Sequence, residues 1–288
     1  MSKDRVRKDI GGGQGPQVPG PPPKHTLSDP VKVAIIGGQG QMGQWFKRFF
    51  EGQGFSVLVA DLDTPQTPAE VARQAEVVML SVPIPHVAEV VAAVAPHLQP
   101  GAVLMDLTSV KQGPMAAMLQ AFAGEVVGTH PLFGPGEESI RGHTVVLCPG
   151  RGENWLNWLH NLLLSAGARV KITSPEEHDQ LMALVQGVTH FMLIALGMAI
   201  RRLGVDPSYL DDFATPTFQA LHQLTRHLLS QDARLYACIQ LQNQANLGAL
   251  SAFEESVAEI LELIQKKDAD GLVRLLEGIK EGFGGGGG

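Results

Sequence analysis

Three glycines, Gly38, Gly40 and Gly43, follow the apolar run Val31-Lys-Val-Ala-Ile-Ile36 and precede a helix-compatible segment from Gln44 to Gly52. The order is strand, tight turn, helix N-terminus. Gly38 permits the turn, Gly40 lets the backbone approach a pyrophosphate, and Gly43 lets the helix pack close on the strand. The free N–H groups and helix dipole then face the phosphates. Gly38, Gly40, Gln41, Met42 and Gly43 are thus candidate contacts to a dinucleotide. About twenty residues on, the apolar run Phe55 to Ala60 ends at Asp61, whose carboxylate can accept both ribose hydroxyls. Asp61 would repel a 2′-phosphate, and Leu62-Asp-Thr64 offers no arginine to bind one. The expected cofactor is NAD.

Three further segments fall where strands of such a sheet should end, which is where ligands bind. In Ser81-Val-Pro-Ile-Pro85 the prolines stop a strand, and Ser81, Val82 and Pro83 are candidate contacts to the nicotinamide ribose, or only a turn. In Asp106-Leu-Thr-Ser-Val-Lys111, the Ser109 hydroxyl and Lys111 ammonium suit an anionic substrate. The plainer alternative is a helix cap by Ser109 with Lys111 on a solvated face. In Gly128-Thr-His-Pro-Leu-Phe-Gly-Pro135, His130 directly follows a short apolar run and is held by Pro131. Histidine is the side chain most easily poised as general base near neutral pH.

Further on, His178 and His190 are twelve residues apart on one apolar helical stretch, too far to serve one atom, so no metal site is expected. His178 is read as satisfying backbone at a domain junction. His190 is either a core histidine or a substrate contact, and Arg226 either an ion-pair partner or a carboxylate clamp.

The elements that must position these groups fall into two regimes. Strands over Val31–Ile36, Phe55–Ala60, Val77–Val82, Val103–Leu107, Glu125–Gly128, Thr144–Cys148 and Arg169–Ile172 alternate with helices, which argues for an α/β, doubly wound Rossmann-type sheet over residues 30–174. Residues 175–283 read as all-helical. Glu176–Leu203 is one long helix, apolar on all sides and so expected to be buried, followed by helices near Pro207–Thr225, Asp232–Ile264 (broken or bent) and Asp268–Lys280. So much apolar helix suits a dimerisation domain, a self-contained bundle being the alternative. Residues 1–29, rich in Gly and Pro, are expected to be a disordered arm, and 284–288 a flexible tail.

The 288 residues are 44% hydrophobic and 18% charged, as in a globular enzyme, and the net charge of −7 argues against nucleic acid or an anionic membrane as partner. Cys148 and Cys238 lack metal or redox spacing and read as reduced thiols. The most apolar helical run, Phe191–Ile200, is read as too short to span a bilayer, and a cytoplasmic protein is expected.

At these residues the sequence resembles the prephenate/arogenate dehydrogenase family. The resemblance is closest to the dehydrogenase domain of the proteobacterial enzymes that carry a fused chorismate mutase. It rests on the Gly37-Gly-Gln-Gly-Gln-Met-Gly43 loop, Leu80-Ser-Val-Pro-Ile84, Asp106-Leu-Thr-Ser-Val-Lys-Gln-Gly-Pro114, Gly128-Thr-His-Pro-Leu-Phe-Gly-Pro135 and Glu177-His-Asp-Gln180 with His190. No mutase segment and no C-terminal regulatory domain is expected. The resemblance implies a homodimer that uses NAD to decarboxylate prephenate oxidatively to 4-hydroxyphenylpyruvate in tyrosine biosynthesis, or arogenate to tyrosine. Hydride leaves the ring carbon bearing the hydroxyl, His130 takes the hydroxyl proton, and loss of carbon dioxide aromatises the ring. It further implies that Ser109 orients His130 or the substrate hydroxyl, that His190 contacts substrate, that Lys111 adds positive potential and that Arg226 binds the ring carboxylate. Counted back from Gln231-Asp232, Arg226 stands one position before the family's arginine, and His227 occupies that place. One helical step turns a side chain by ~100°, so either residue can serve as the clamp. A related two-domain hydroxyacid or imine dehydrogenase would carry a catalytic lysine on the long helix, and Glu176–Leu203 has none.

Overall fold

The computed structural model describes residues 31–283, so the expected arm and tail lie outside the described residues. The chain divides between Pro175 and Glu176 into two compact units.

The first unit is built on β1 (Lys32–Ile36), α1 (Gln41–Gly52), β2 (Ser56–Ala60), α2 (Pro68–Ala72), β3 (Val77–Leu80), α3 (Val87–Val94), β4 (Val103–Asp106), α4 (Gln112–Ala121), β5 (Glu125–Pro131), β6 (Thr144–Arg151), α5 (Asn154–Ser165) and β7 (Arg169–Ile172). The strands form one sheet in the order β2-β1-β3-β4-β5-β6-β7. β1 to β5 are parallel, β6 runs antiparallel to β5, and β7 follows β6. The period-2 alternation of strand side chains explains why both faces are apolar. Val33, Ile35, Met79, Met105 and Val127 pack under α1 and α5 with Phe46, Phe50, Trp155 and Trp158. Ala34, Ile36, Val78, Leu80, Leu104 and Val126 pack under α2, α3 and α4. Helices on both faces make the expected doubly wound architecture.

β5 is longer than its sequence suggests. It runs through His130 to Pro131, because the antiparallel ladder with β6 pairs His130 with Val146 and Pro131 with Val145. His130 therefore sits within a strand rather than after one.

The second unit is helical: α6 (Pro175–Met182), a π-type turn over Ala183–Val188, α7 (Thr189–Leu203), α8 (Pro207–Leu210), α9 (Pro216–Ser230), α10 (Ala233–Gln242), α11 (Asn246–Lys266) and α12 (Ala269–Phe283). The segment expected as Pro207–Thr225 is split, because Thr215 caps a new helix that opens with Pro216. The long apolar helix is not buried as expected. Its turns present His178, Asp179, Met182, Ala183, Gly187 and Leu193 to the unit's interior. Leu181, Leu184, Val185, Phe191 and Met198 remain exposed, although the Phe191 ring meets Phe253 of α11 edge-on. The ten-residue estimate of its apolar length was also short. Pro175–Leu203 is 29 residues of continuous helix with a mean hydropathy of 1.8 in its most apolar window, enough by length and composition alone to cross a bilayer.

Candidate active site

At the end of β1 the backbone turns at Gly37, one residue before the glycine to which sequence spacing assigned the turn. Gly37 has φ +78°, and a Cβ there would lie 2.3 Å from the Ser81 carbonyl oxygen. Gly38 instead serves packing, since a Cβ on it would meet Val59 at 2.6 Å. A Cβ on Gly43 would lie 2.5 Å from the Gly37 carbonyl, so its absence seats α1 against the turn. Gly40 is the N-cap of α1. It offers no capping side chain, and the first turn carries no acidic residue. The leading N–H groups of the helix, at Gln41 and Met42, thus have no side-chain cap and suit an anion. Gln41 is exposed, whereas the Met42 side chain packs toward the core.

Asp61 closes β2 beside this loop. One carboxylate oxygen accepts the Gln39 N–H at 2.8 Å and the other the Leu62 N–H at 2.8 Å. These bonds fix the carboxylate and leave each oxygen a further acceptor position, as a ribose diol requires. β3 ends at Leu80 rather than Val82, and the Ser81 N–H bonds the Ile36 carbonyl at 2.7 Å. Ser81 and Val82 abut Gly37 and are half-buried, and Pro83 is exposed. The glycine loop, Asp61 and Ser81–Pro83 therefore converge at the C-terminal edge of the sheet.

The next two strands bring Ser109, Lys111 and His130 to the same edge. Ser109 is half-buried in the turn after β4, and it does not cap α4, whose N-cap is Lys111. Lys111 is neither on a solvated face nor presented to a ligand: its side chain is fully buried. It forms an ion pair with Asp106, which is also fully buried, and donates to the Thr129 carbonyl at 2.8 Å. Asp106 further accepts the Thr108 N–H at 3.0 Å and the Thr129 N–H at 3.3 Å. The assignment of Lys111 to substrate is thus corrected to a structural one, because its charge is matched inside the protein. His130 follows Thr129 and is buried at 3% exposure. Sequence reasoning missed Asp106 and Thr129. An acidic residue closing an otherwise apolar strand was the available signal, since a buried charge requires a partner.

In the helical unit His190 opens α7 with its ring edge-on to Tyr236, centroids 4.8 Å apart. Its Nδ1 is buried with no hydrogen-bond partner among the described residues, and burial pushes its pKa below the ordinary histidine value. Arg226 is exposed on α9 and faces Asp211 at 3.7 Å, while the other Asp211 oxygen lies 3.0 Å from His222 Nδ1. His227 is exposed one step around the helix. His178 pairs with the Asp179 carboxylate at 2.7 Å, a partner its sequence context did not suggest. A groove of about 460 Å³ beside α1 and α5, lined by Trp45, Arg48, Phe49 and Arg141 among others, contains none of the candidate residues.

Residues 57–172 match the family model for the prephenate dehydrogenase nucleotide-binding domain, and residues 174–278 match that for the prephenate dehydrogenase dimerization domain. A Methanocaldococcus jannaschii protein named "Probable arogenate/prephenate dehydrogenase" is 33% identical over 273 residues, covering 88% of this chain and 61% of its own length. The T-protein of Haemophilus influenzae is 30% identical over 261 residues, covering 91% of this chain and 69% of its own. The chain thus spans only about three-fifths to two-thirds of these relatives. Among solved structures, prephenate dehydrogenase from Aquifex aeolicus, in complex with hydroxyphenyl propionate and NAD+, superposes with a TM-score of 0.71 at 22% identity, over 89% of this chain and 98% of that one. Synechocystis arogenate dehydrogenase gives 0.70 at 20% identity, over 88% and 98%. Two consecutive domain models, matched in order over most of its length, show that the chain belongs to the prephenate dehydrogenase family.

Proposed function

We propose that the chain is an NAD-dependent dehydrogenase that decarboxylates prephenate oxidatively to 4-hydroxyphenylpyruvate, as a homodimer joined through its helical unit. The observation that carries this reading is the placement of His130, on a strand end tied down by Asp106 and Lys111, at the same sheet edge as the uncapped α1 and Asp61. The dinucleotide fits that edge. The leading N–H groups of α1 would hold its pyrophosphate, and Asp61 the ribose diol, with no cation nearby in Leu62-Asp-Thr64 to favour a 2′-phosphate. Bound there, NAD supplies the hydride acceptor. His130 takes the proton of the ring hydroxyl as the C–H electron pair leaves, so charge on that oxygen is relieved in the transition state, typically worth ~10²–10⁴-fold in rate. Ser109 orients the hydroxyl or the imidazole. Loss of carbon dioxide then returns an electron pair to the ring and makes it aromatic. His190 contacts the substrate, and Arg226 or His227 meets its ring carboxylate. Arg226 must exchange or share its Asp211 partner to do so.

Relatives named for both prephenate and arogenate support the two substrates alike, and kinetics separates them. Steady-state assays with each substrate and with NAD or NADP should give the highest kcat/KM for prephenate with NAD. A higher value for arogenate would reassign the substrate, a higher value for NADP would overturn the role of Asp61, and turnover of neither would overturn the activity.

A further inference from the structure

The strand that carries His130 outruns its parallel neighbour. β4 stays in register with β5 only as far as the Asp106–Gly128 match, whereas β5 continues through Thr129 and His130 to Pro131 along β6. The Leu132 N–H bonds the Thr144 carbonyl across to β6 and backbone groups alternate along a strand, so the Thr129 N–H and C=O face the side where β4 has ended. Two side chains stand in for the absent strand. Asp106 Oδ1 accepts the Thr129 N–H at 3.3 Å, and Lys111 Nζ donates to the Thr129 carbonyl at 2.8 Å. The Thr129 hydroxyl donates to the Asp106 carbonyl, which closes the clamp. Asp106 Oδ2 takes the Thr108 N–H at 3.0 Å, so the same carboxylate also holds the turn that bears Ser109. Gly128 makes room chiefly for Met115, since a Cβ there would lie 2.5 Å from its Sδ, with the Lys111 stem next at 3.2 Å.

We propose that Asp106, Lys111 and Thr129 are positioning residues: a buried ion pair that completes the sheet ladder beside the proton acceptor and sets where His130 and Ser109 stand. This rests on His130 being the base. A buried ion pair is seldom the most stabilising choice, because an apolar pair of like volume is often as stable. What an apolar pair cannot do is satisfy both backbone groups of Thr129. Misplacing a reacting group by about 1 Å can cost ~10²-fold in rate, so the loss should fall on kcat and leave KM nearly unchanged.

The test compares four variants of the full chain by thermal melting, NAD binding, kcat and KM. Thr129→Val should fold and bind NAD normally but lose kcat about tenfold, the order of one hydrogen bond, and Thr129→Ser should restore it. The double variant Asp106→Leu/Lys111→Met leaves both Thr129 backbone groups without these partners, so it should melt below the wild type, still bind NAD, and lose kcat ~10²-fold. His130→Asn is the reference. If it loses kcat while the double variant and Thr129→Val keep theirs, the positioning role is overturned and the base stands. If His130→Asn itself keeps normal kcat, both readings fall. Should the double variant fail to fold, the Thr129 pair decides alone, and an unchanged kcat in Thr129→Val overturns the proposal.

Discussion

His190 has one ring nitrogen that folding removes from water without giving it a bond among the described residues. Desolvation disfavours the imidazolium and pulls its pKa below the ordinary value of 6.5. Between the folded and unfolded values the folded chain binds fewer protons than the unfolded one. Stability is therefore fully present above the unfolded value and is lost as pH falls toward the folded one. Melting temperatures of the wild type and His190→Phe, compared at about pH 7.5 and about pH 5.5, should fall more steeply for the wild type. Equal slopes would mean that the ring is not desolvated. The same orphaned nitrogen fits a group that receives a substrate, and composition alone left that choice even. Other residues were also half-legible. Lys111 reads as substrate-facing or solvated, and its burial was not legible, because a sequence does not show that Asp106 neutralises it within the sheet. Arg226 reads as an ion-pair partner or, with His227, as an alternative clamp; the Asp211 carboxylate that faces it, fifteen positions before, was not legible.

At the scale of elements, the glycine turn is more tightly constrained than its spacing suggests. Gly37 combines φ +78° with a Cβ position 2.3 Å from a backbone carbonyl, so a side chain there is strained and also clashes with a group that cannot rotate away. Gly37→Ala should cost on the order of 1–3 kcal/mol or more of stability and weaken NAD binding, because Ser81 and the α1 N-terminus are both seated on this turn. A Gly37→Ala protein with wild-type melting and NAD affinity would show that the turn can relax. The alternation of apolar strands and helices made the doubly wound sheet legible, since the central strands β1, β3 and β4 are apolar on both faces and are joined by helical connections long enough to cross over. The length of β5 was not legible. Its last three residues are ordered by β6, an antiparallel partner distant in sequence, and Pro131 reads locally as a terminator. Helix existence was clear in the second unit. The break expected within Asp232–Ile264 falls at Asn243–Ala245, whereas the one at Ala214–Thr215 was not legible, because it depends on the Thr215 cap rather than on periodicity.

For the whole molecule, the decisive feature is apolar surface left outside one copy of the helical unit. On α11, Val257, Ile260, Leu261 and Ile264 recur at helical spacing with exposures of 47%, 38%, 50% and 56%. On α12, Val273, Leu276 and Ile279 do the same at 52%, 51% and 45%. A stripe with the helical period is the mark of a face that packs, and surface of this extent on a globular chain marks an interaction site. The expectation that Glu176–Leu203 is buried is met within one copy only on the inner turns of that helix. Residues 174–278, which hold all of these side chains but Ile279, match a family model described as a dimerization domain. A second copy is the occupant that would cover like with like, in an isologous contact whose apolar character suits an obligate interface. Light scattering at micromolar concentration should therefore return the mass of a dimer for the wild type. Ile260→Glu places a charge in the middle of the α11 stripe, where a dimer would have to desolvate it. That variant should shift toward the monomer and lose melting temperature in a concentration-dependent way. A monomeric wild type would overturn the dimer, and a fully dimeric Ile260→Glu protein would move the interface off α11.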